Sequence, residues 1–170
     1  MKFIDLQKQY DMIKKPLAKS FDDILQNTSF IMGSHVQELE SQLAKYADVK
    51  HCISCSSGTD AILMALMSID IKRGDAVFLS SFTYIATAEV VTLLGATPVF
   101  VDSYDSSFNM SHDDLKRRIS VVKSEGQLNP KAIIAVDIFG LPARYRLIEE
   151  IAQENNLIVI DDSAQNILGE

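Results

Sequence analysis

The sequence predicts an α/β fold: a mainly parallel sheet with flanking helices, preceded by an N-terminal helical segment. Three observations carry that expectation. After residue 50, short apolar runs alternate steadily with amphipathic stretches. The runs are four or five residues long and mostly rich in Val, Ile or Phe, as strands buried on both faces require. Turn signals at 72–75, 95–98 and 126–130 separate the units. Strands alternating with helices in this way read as βαβ crossovers.

The elements follow in order. Residues 5–25 have helical spacing, with Pro16 expected to interrupt the helix. Residues 35–46 place Val36, Leu39, Leu43 and Tyr46 on one apolar stripe, and a polar-then-apolar link at 26–33 joins the two. The division this suggests is a helical segment over 1–34 and an α/β domain over 35–170. Strands are expected at 51–55, 76–80, 98–101, 132–136 and 157–160. Helices are expected between them at 59–69, 86–94, 111–123 and 144–154, the first with Ile62, Leu63, Leu66 and Met67 on one stripe. The last strand carries Asp161-Asp162 at its carboxyl end with eight residues beyond. A parallel sheet closing on an uncovered strand would expose apolar surface, so the sheet is expected to be unfinished.

Composition narrows the function classes. The 170 residues are 47% apolar and 23% charged, ordinary for a globular chain. The net charge of -7 and a pI near 4.9 argue against a nucleic-acid partner. An anionic ligand would then be held by local devices such as helix N-termini. The apolar runs are too short to span a membrane. With two cysteines and no export signal, a cytoplasmic location is expected. Cys52-Ile53-Ser54-Cys55 has redox-like spacing, but it falls in an expected strand, so both are read as buried core thiols. His35, His51 and His112 lack ligand spacing, and no metal is expected.

Three motifs can carry chemistry. In Ser56-Ser57-Gly58-Thr59-Asp60-Ala61 a glycine flanked by hydroxyls opens a helix, where backbone N–H groups can meet a phosphate; equally, Ser57 or Thr59 caps the helix. In Ser80-Ser81-Phe82-Thr83-Tyr84, Tyr84 follows a strand and can stack on a flat ring, or else lie under the next helix. In Asp161-Asp162-Ser163-Ala164-Gln165, two carboxylates close a strand, which is costly unless a cation such as a protonated pyridine nitrogen meets one of them. The plainer reading is loop acids or a turn cap. A phosphate cradle, an aromatic plate and a ring-nitrogen acid on one rim together match the needs of pyridoxal 5'-phosphate.

The residues also resemble a known family, the DegT/StrS-like sugar aminotransferases, which use pyridoxal phosphate on a type I fold. The matching segments include Phe3-Ile4-Asp5-Leu6, Ile31-Met32-Gly33, Ser57-Gly58-Thr59-Asp60-Ala61 and Phe82-Thr83-Tyr84-Ile85-Ala86-Thr87. Gly95-Ala96-Thr97-Pro98-Val99-Phe100-Val101-Asp102, Phe139-Gly140 and Asp162-Ser163-Ala164-Gln165 follow in order. The resemblance implies that Ser57, Gly58 and Thr59 hold the cofactor phosphate, Tyr84 stacks on the ring and Gln165 meets the ring hydroxyl. Asp162 is the implied catalytic acid, paired with the pyridine nitrogen. It implies amino transfer to a nucleotide-linked keto sugar, closest in look to UDP-3-keto-hexuronic acid aminotransferases. Glutamate is the implied donor and a homodimer the implied assembly. The family's Schiff-base lysine follows Asp-x-Ala-Gln by some twenty residues, and none of the eleven lysines here stands in that context. The chain is therefore expected to be the truncated N-terminal part of the large domain. The alternatives are an inactive remnant, or a sugar dehydratase of the same family. Ser163 and Asn166 depart from the residues usual there.

Overall fold

Parallel pairing dominates the computed structural model, which describes residues 4–166. The chain divides into two compact units, Met1–Ser54 and Cys55–Glu170.

The first unit holds two helices, α1 (Leu6–Gln26) and α2 (Ser34–Tyr46). Asp5 caps α1 by accepting the Lys8 N–H at 3.2 Å. Pro16 does not interrupt α1, contrary to expectation. Proline removes only one N–H from the ladder, and the helical pattern on both sides carries the helix across the gap. The apolar stripe of α1 (Tyr10, Ile13, Leu17, Phe21) is exposed. In this unit Glu40 accepts from both the backbone N–H and the hydroxyl of Ser54, at 2.8 and 2.7 Å, and those bonds hold its carboxyl below the usual range.

The second unit is the α/β domain. Its elements run α3 (Gly58–Ser68), β1 (Asp75–Ser80), α4 (Ala86–Leu93), β2 (Thr97–Val101), α5 (His112–Glu125), β3 (Asn129–Val136), α6 (Tyr145–Asn155) and β4 (Ile158–Asp162). All strand pairs are parallel, in the order β2-β1-β3-β4. The pleat sends alternate residues to two cores. Phe78, Ile133 and Ala135 meet Leu115 and Ile119 of α5 and Ile148 and Ile151 of α6. Val77, Leu79 and Ile134 meet Ile62 and Leu66 of α3 and Val90 and Val91 of α4. β1 is buried at all six positions, which explains its unbroken apolar reading.

Four of the five expected strands form. Residues 51–55 do not: among the described residues the segment has no ladder partner, and Ile53 is 81% exposed. A strand is defined by its neighbour, and a His/Ser/Cys-rich run has little apolar surface to recruit one. The thiols are corrected with it. Cys52 is half-buried, and Cys55 is exposed with its Sγ donating to the Ser57 carbonyl at 3.2 Å. No helix among the described residues is long and apolar enough to cross a membrane.

Candidate active site

The order of strands reverses around β1: β2 lies on one side and β3 on the other. In open α/β sheets, ligands bind beside such a reversal, outside the carboxyl ends of the strands. Tyr84 follows β1 there, and Asp162 closes β4. The third group comes from the N-terminus of α3, which approaches this rim without a preceding strand.

A cavity of about 190 Å³ is lined by Gly58, Thr59, Tyr84, Thr87, Asp162 and Ala164, among others. A neighbouring one of about 260 Å³ shares Gly58, Asp162 and Ala164 with it. The three motifs therefore converge on one place. A wider hollow of about 580 Å³ on the outer side of α4 and β2 is apolar in character and does not reach Asp162.

The α3 turn is built by its cap. The Ser57 hydroxyl accepts the Asp60 N–H at 3.1 Å, and the Ser57 carbonyl accepts the Ala61 N–H at 3.0 Å. Both Ser56 and Ser57 hydroxyls bond the Asp60 carboxylate, which they hold below the usual range. The capping reading of Ser57 is thus what the side chain does. The N–H groups of Gly58 and Thr59, at the start of the helix where the dipole favours an anion, have no hydrogen-bond partner among the described residues. A Cβ at Gly58 would meet nothing within 4 Å. Neither chain packing nor a left-handed backbone demands glycine there. The bare turn faces open space that a phosphate can approach closely.

Tyr84 is 75% exposed and stands over the cavity rather than in the core. That placement removes the core reading and leaves the ring face open to a flat ligand. The Asp162 side chain shares the sheet face of Ile160, toward α3. Burial pushes its carboxyl above the usual range, with the charges of Asp161 and Asp137 adding to the rise and the Ala164 N–H opposing it. A half-buried acid among like charges is a ready partner for a ring N–H cation. Gln165 does not line the cavity. Its Oε1 accepts the Phe139 N–H, and no described residue accepts from its Nε2.

The donor set fits pyridoxal phosphate: two N–H groups at a glycine turn with no partner among the described residues, an exposed aromatic face and a half-buried acid whose proton affinity is raised.

Sequence reasoning missed a second cluster on the opposite face of the same strand ends. Asp137, 3% exposed, accepts the Ala143 N–H at 2.9 Å, the Tyr145 hydroxyl at 2.7 Å and the Asn166 amide at 3.1 Å. Tyr145 also bonds Asp161, and burial followed by the two acids drives its phenol far above the usual range. The signal was present: Asp137 ends the apolar run 132–136 just as Asp161 and Asp162 end theirs.

The pattern of the DegT/DnrJ/EryC1/StrS aminotransferase family matches residues 11–169. The UDP-2-acetamido-2-deoxy-3-oxo-D-glucuronate aminotransferase of Pseudomonas aeruginosa is 38% identical over 98% of this chain and 44% of its own length. A crystal structure of a DegT DnrJ EryC1 StrS aminotransferase from Brucella abortus superposes with a TM-score of 0.94 at 46% identity, over 98% of this chain and 44% of that one. NtdA from Bacillus subtilis, solved with bound cofactor PMP, superposes at 0.80 with 26% identity, over 90% of this chain and 34% of that one. The chain thus spans less than half the length of these relatives.

Proposed function

The chain belongs to the DegT/DnrJ/EryC1/StrS aminotransferase family, and from that premise we propose that it forms the cofactor-holding part of a pyridoxal-phosphate-dependent sugar aminotransferase. The acceptor is a nucleotide-linked keto sugar, a UDP-linked 3-keto hexuronic acid by likeness to the Pseudomonas relative. Glutamate supplies the nitrogen, the assembly is a homodimer and the compartment is the cytoplasm.

When bound, pyridoxal phosphate supplies an electron sink for the carbon that exchanges the amino group. The chain's own residues do the rest. Gly58 and Thr59 present their N–H groups to the phosphate, with the helix dipole behind them. Ser57 keeps that turn in shape by capping α3. Tyr84 covers one face of the ring and excludes water from it. Asp162 holds a proton on the pyridine nitrogen, since a carboxylate costly to bury alone is stabilised by a cation beside it. Gln165 would meet the ring hydroxyl through Nε2.

The observation that carries this reading is the convergence of Gly58, Thr59, Tyr84 and Asp162 on one cavity. Because the chain spans 44% of the Pseudomonas relative, amino transfer is proposed for a protein that contains these residues. Such a protein, given pyridoxal phosphate, ¹⁵N-glutamate and a UDP-linked 3-keto hexuronic acid, is expected to place ¹⁵N on the sugar carbon. Cofactor binding without transfer to any keto sugar nucleotide would contradict the proposed reaction.

A further inference from the structure

Asp162 is the last residue of β4, and the segment after it that carries Gln165 is short and irregular, yet Asp162 must be held in place to serve a ring nitrogen. Its internal bonds are few: the Asn166 N–H donates to the Ser163 carbonyl at 2.9 Å, and the Ala164 N–H to Asp162 Oδ1 at 3.3 Å. External bonds come from behind. The Asp137 N–H donates to the Asp162 carbonyl at 3.2 Å, extending the β3–β4 ladder by one rung. The Asp137 carboxylate divides its two oxygens between two jobs. Oδ1 takes the Ala143 N–H and the Tyr145 hydroxyl, fixing the acid to the start of α6. Oδ2 takes the Asn166 amide. A second tie lies alongside, where Gln165 meets the Phe139 N–H and Gly140 passes so close that a Cβ would sit 3.1 Å from the Gln165 carbonyl.

We infer that Asp137 and Asn166 form a clasp that positions the 162–166 segment, and with it Asp162, from the side of the sheet opposite the cavity. Both act through Asp162, so they are positioning residues, and their importance for the reaction rests on the cofactor reading above. Asn166 supplies the amide donor to this buried carboxylate. Asp137 is 3% exposed, so an oxygen without a donor there would be costly. The Asp137 carboxylate lies beside Asp162, where its charge adds to the burial that favours the protonated Asp162 carboxyl.

The chemistry of the pair dictates an asymmetric set of substitutions. Asn166→Asp sets one carboxylate against another, and at a pH where both are ionised the clasp opens. Asp137→Asn alone is tolerated, because the Asn166 amide can turn over and offer its oxygen to the new NH₂ group. Combining Asp137→Asn with Asn166→Asp restores a donor–acceptor pair with the roles exchanged. The measurement is hydrogen–deuterium exchange of the Ala164 and Asn166 amides in the chain without cofactor, with thermal melting as the check on folding. Asn166→Asp is expected to speed exchange about tenfold at neutral pH, the loss of one charge-assisted hydrogen bond, while α6 and the sheet keep their protection. The double variant is expected to return within about threefold of the parent. Unchanged exchange in a folded Asn166→Asp chain would overturn the clasp, as would failure of the second substitution to restore protection. A parallel titration with pyridoxal phosphate should follow the same order of affinities. If the parent binds no cofactor, the function proposed above fails while the exchange measurement still decides the clasp.

Discussion

Asp162 sits half-buried between two further acids, and its proton affinity is raised chiefly by burial. The consequence for stability runs opposite to that of a salt-bridged acid. A carboxyl whose folded pKa lies above the unfolded value of 3.8 adds no cost below that pH. The cost grows as pH rises from 3.8 to the folded value and stays constant above it. Asp162→Asn is therefore expected to raise the melting temperature of the cofactor-free chain at pH 7, with the difference vanishing below pH 3.8. The same substitution should weaken pyridoxal phosphate binding. A lower melting temperature at pH 7 would contradict this account of the group. Gly58 offers a complementary case. Its backbone does not need glycine and its Cβ position is open, so Gly58→Ala should stabilise the chain by about 0.4–1 kcal/mol. It should at the same time weaken cofactor affinity about tenfold or more by filling the phosphate approach. Opposite signs in denaturant unfolding and ligand titration would identify the turn as a cradle; losses in both would make it a packing glycine.

At the scale of elements, the site depends on how α3 begins. Ser57 accepts the Asp60 N–H, and Ser57→Ala should destabilise the unit by about 1 kcal/mol, the usual worth of an N-cap. Urea unfolding measures it, and a change within about 0.3 kcal/mol would show that Asp60 and Ser56 hold the turn without the cap. This cap was legible in Ser57-Gly58-Thr59-Asp60, as were β1, β2, β3 and β4, because runs such as Ala76–Leu79 need burial on two faces wherever they lie. Residues 51–55 misled for a physical reason. Period and composition describe a single strand, whereas pairing belongs to two, and no neighbour for this segment exists among the described residues. Pro16 misled in the opposite direction: its local rule was outweighed by a helix of 21 residues around it. The Asp137–Tyr145–Asn166 cluster could not be read from spacing, since three segments 8 and 29 residues apart meet only once β3, α6 and the end of β4 are packed.

At the scale of the molecule, two cores on either side of one sheet divide the labour. The α5–α6 side carries Asp137, Tyr145 and Asp161, which brace the strand ends. The α3–α4 side carries Gly58, Thr59, Tyr84 and Asp162, which open onto the cavity. A bound cofactor should therefore touch three separated stretches and only the second of these faces. Hydrogen–deuterium exchange with and without pyridoxal phosphate reads all three at once. The account predicts new protection at 57–61, 82–87 and 162–165, with β2 and α5 unchanged. Binding that protects the hollow against β2, or leaves the amides of Gly58 and Thr59 as exchangeable as before, would contradict it.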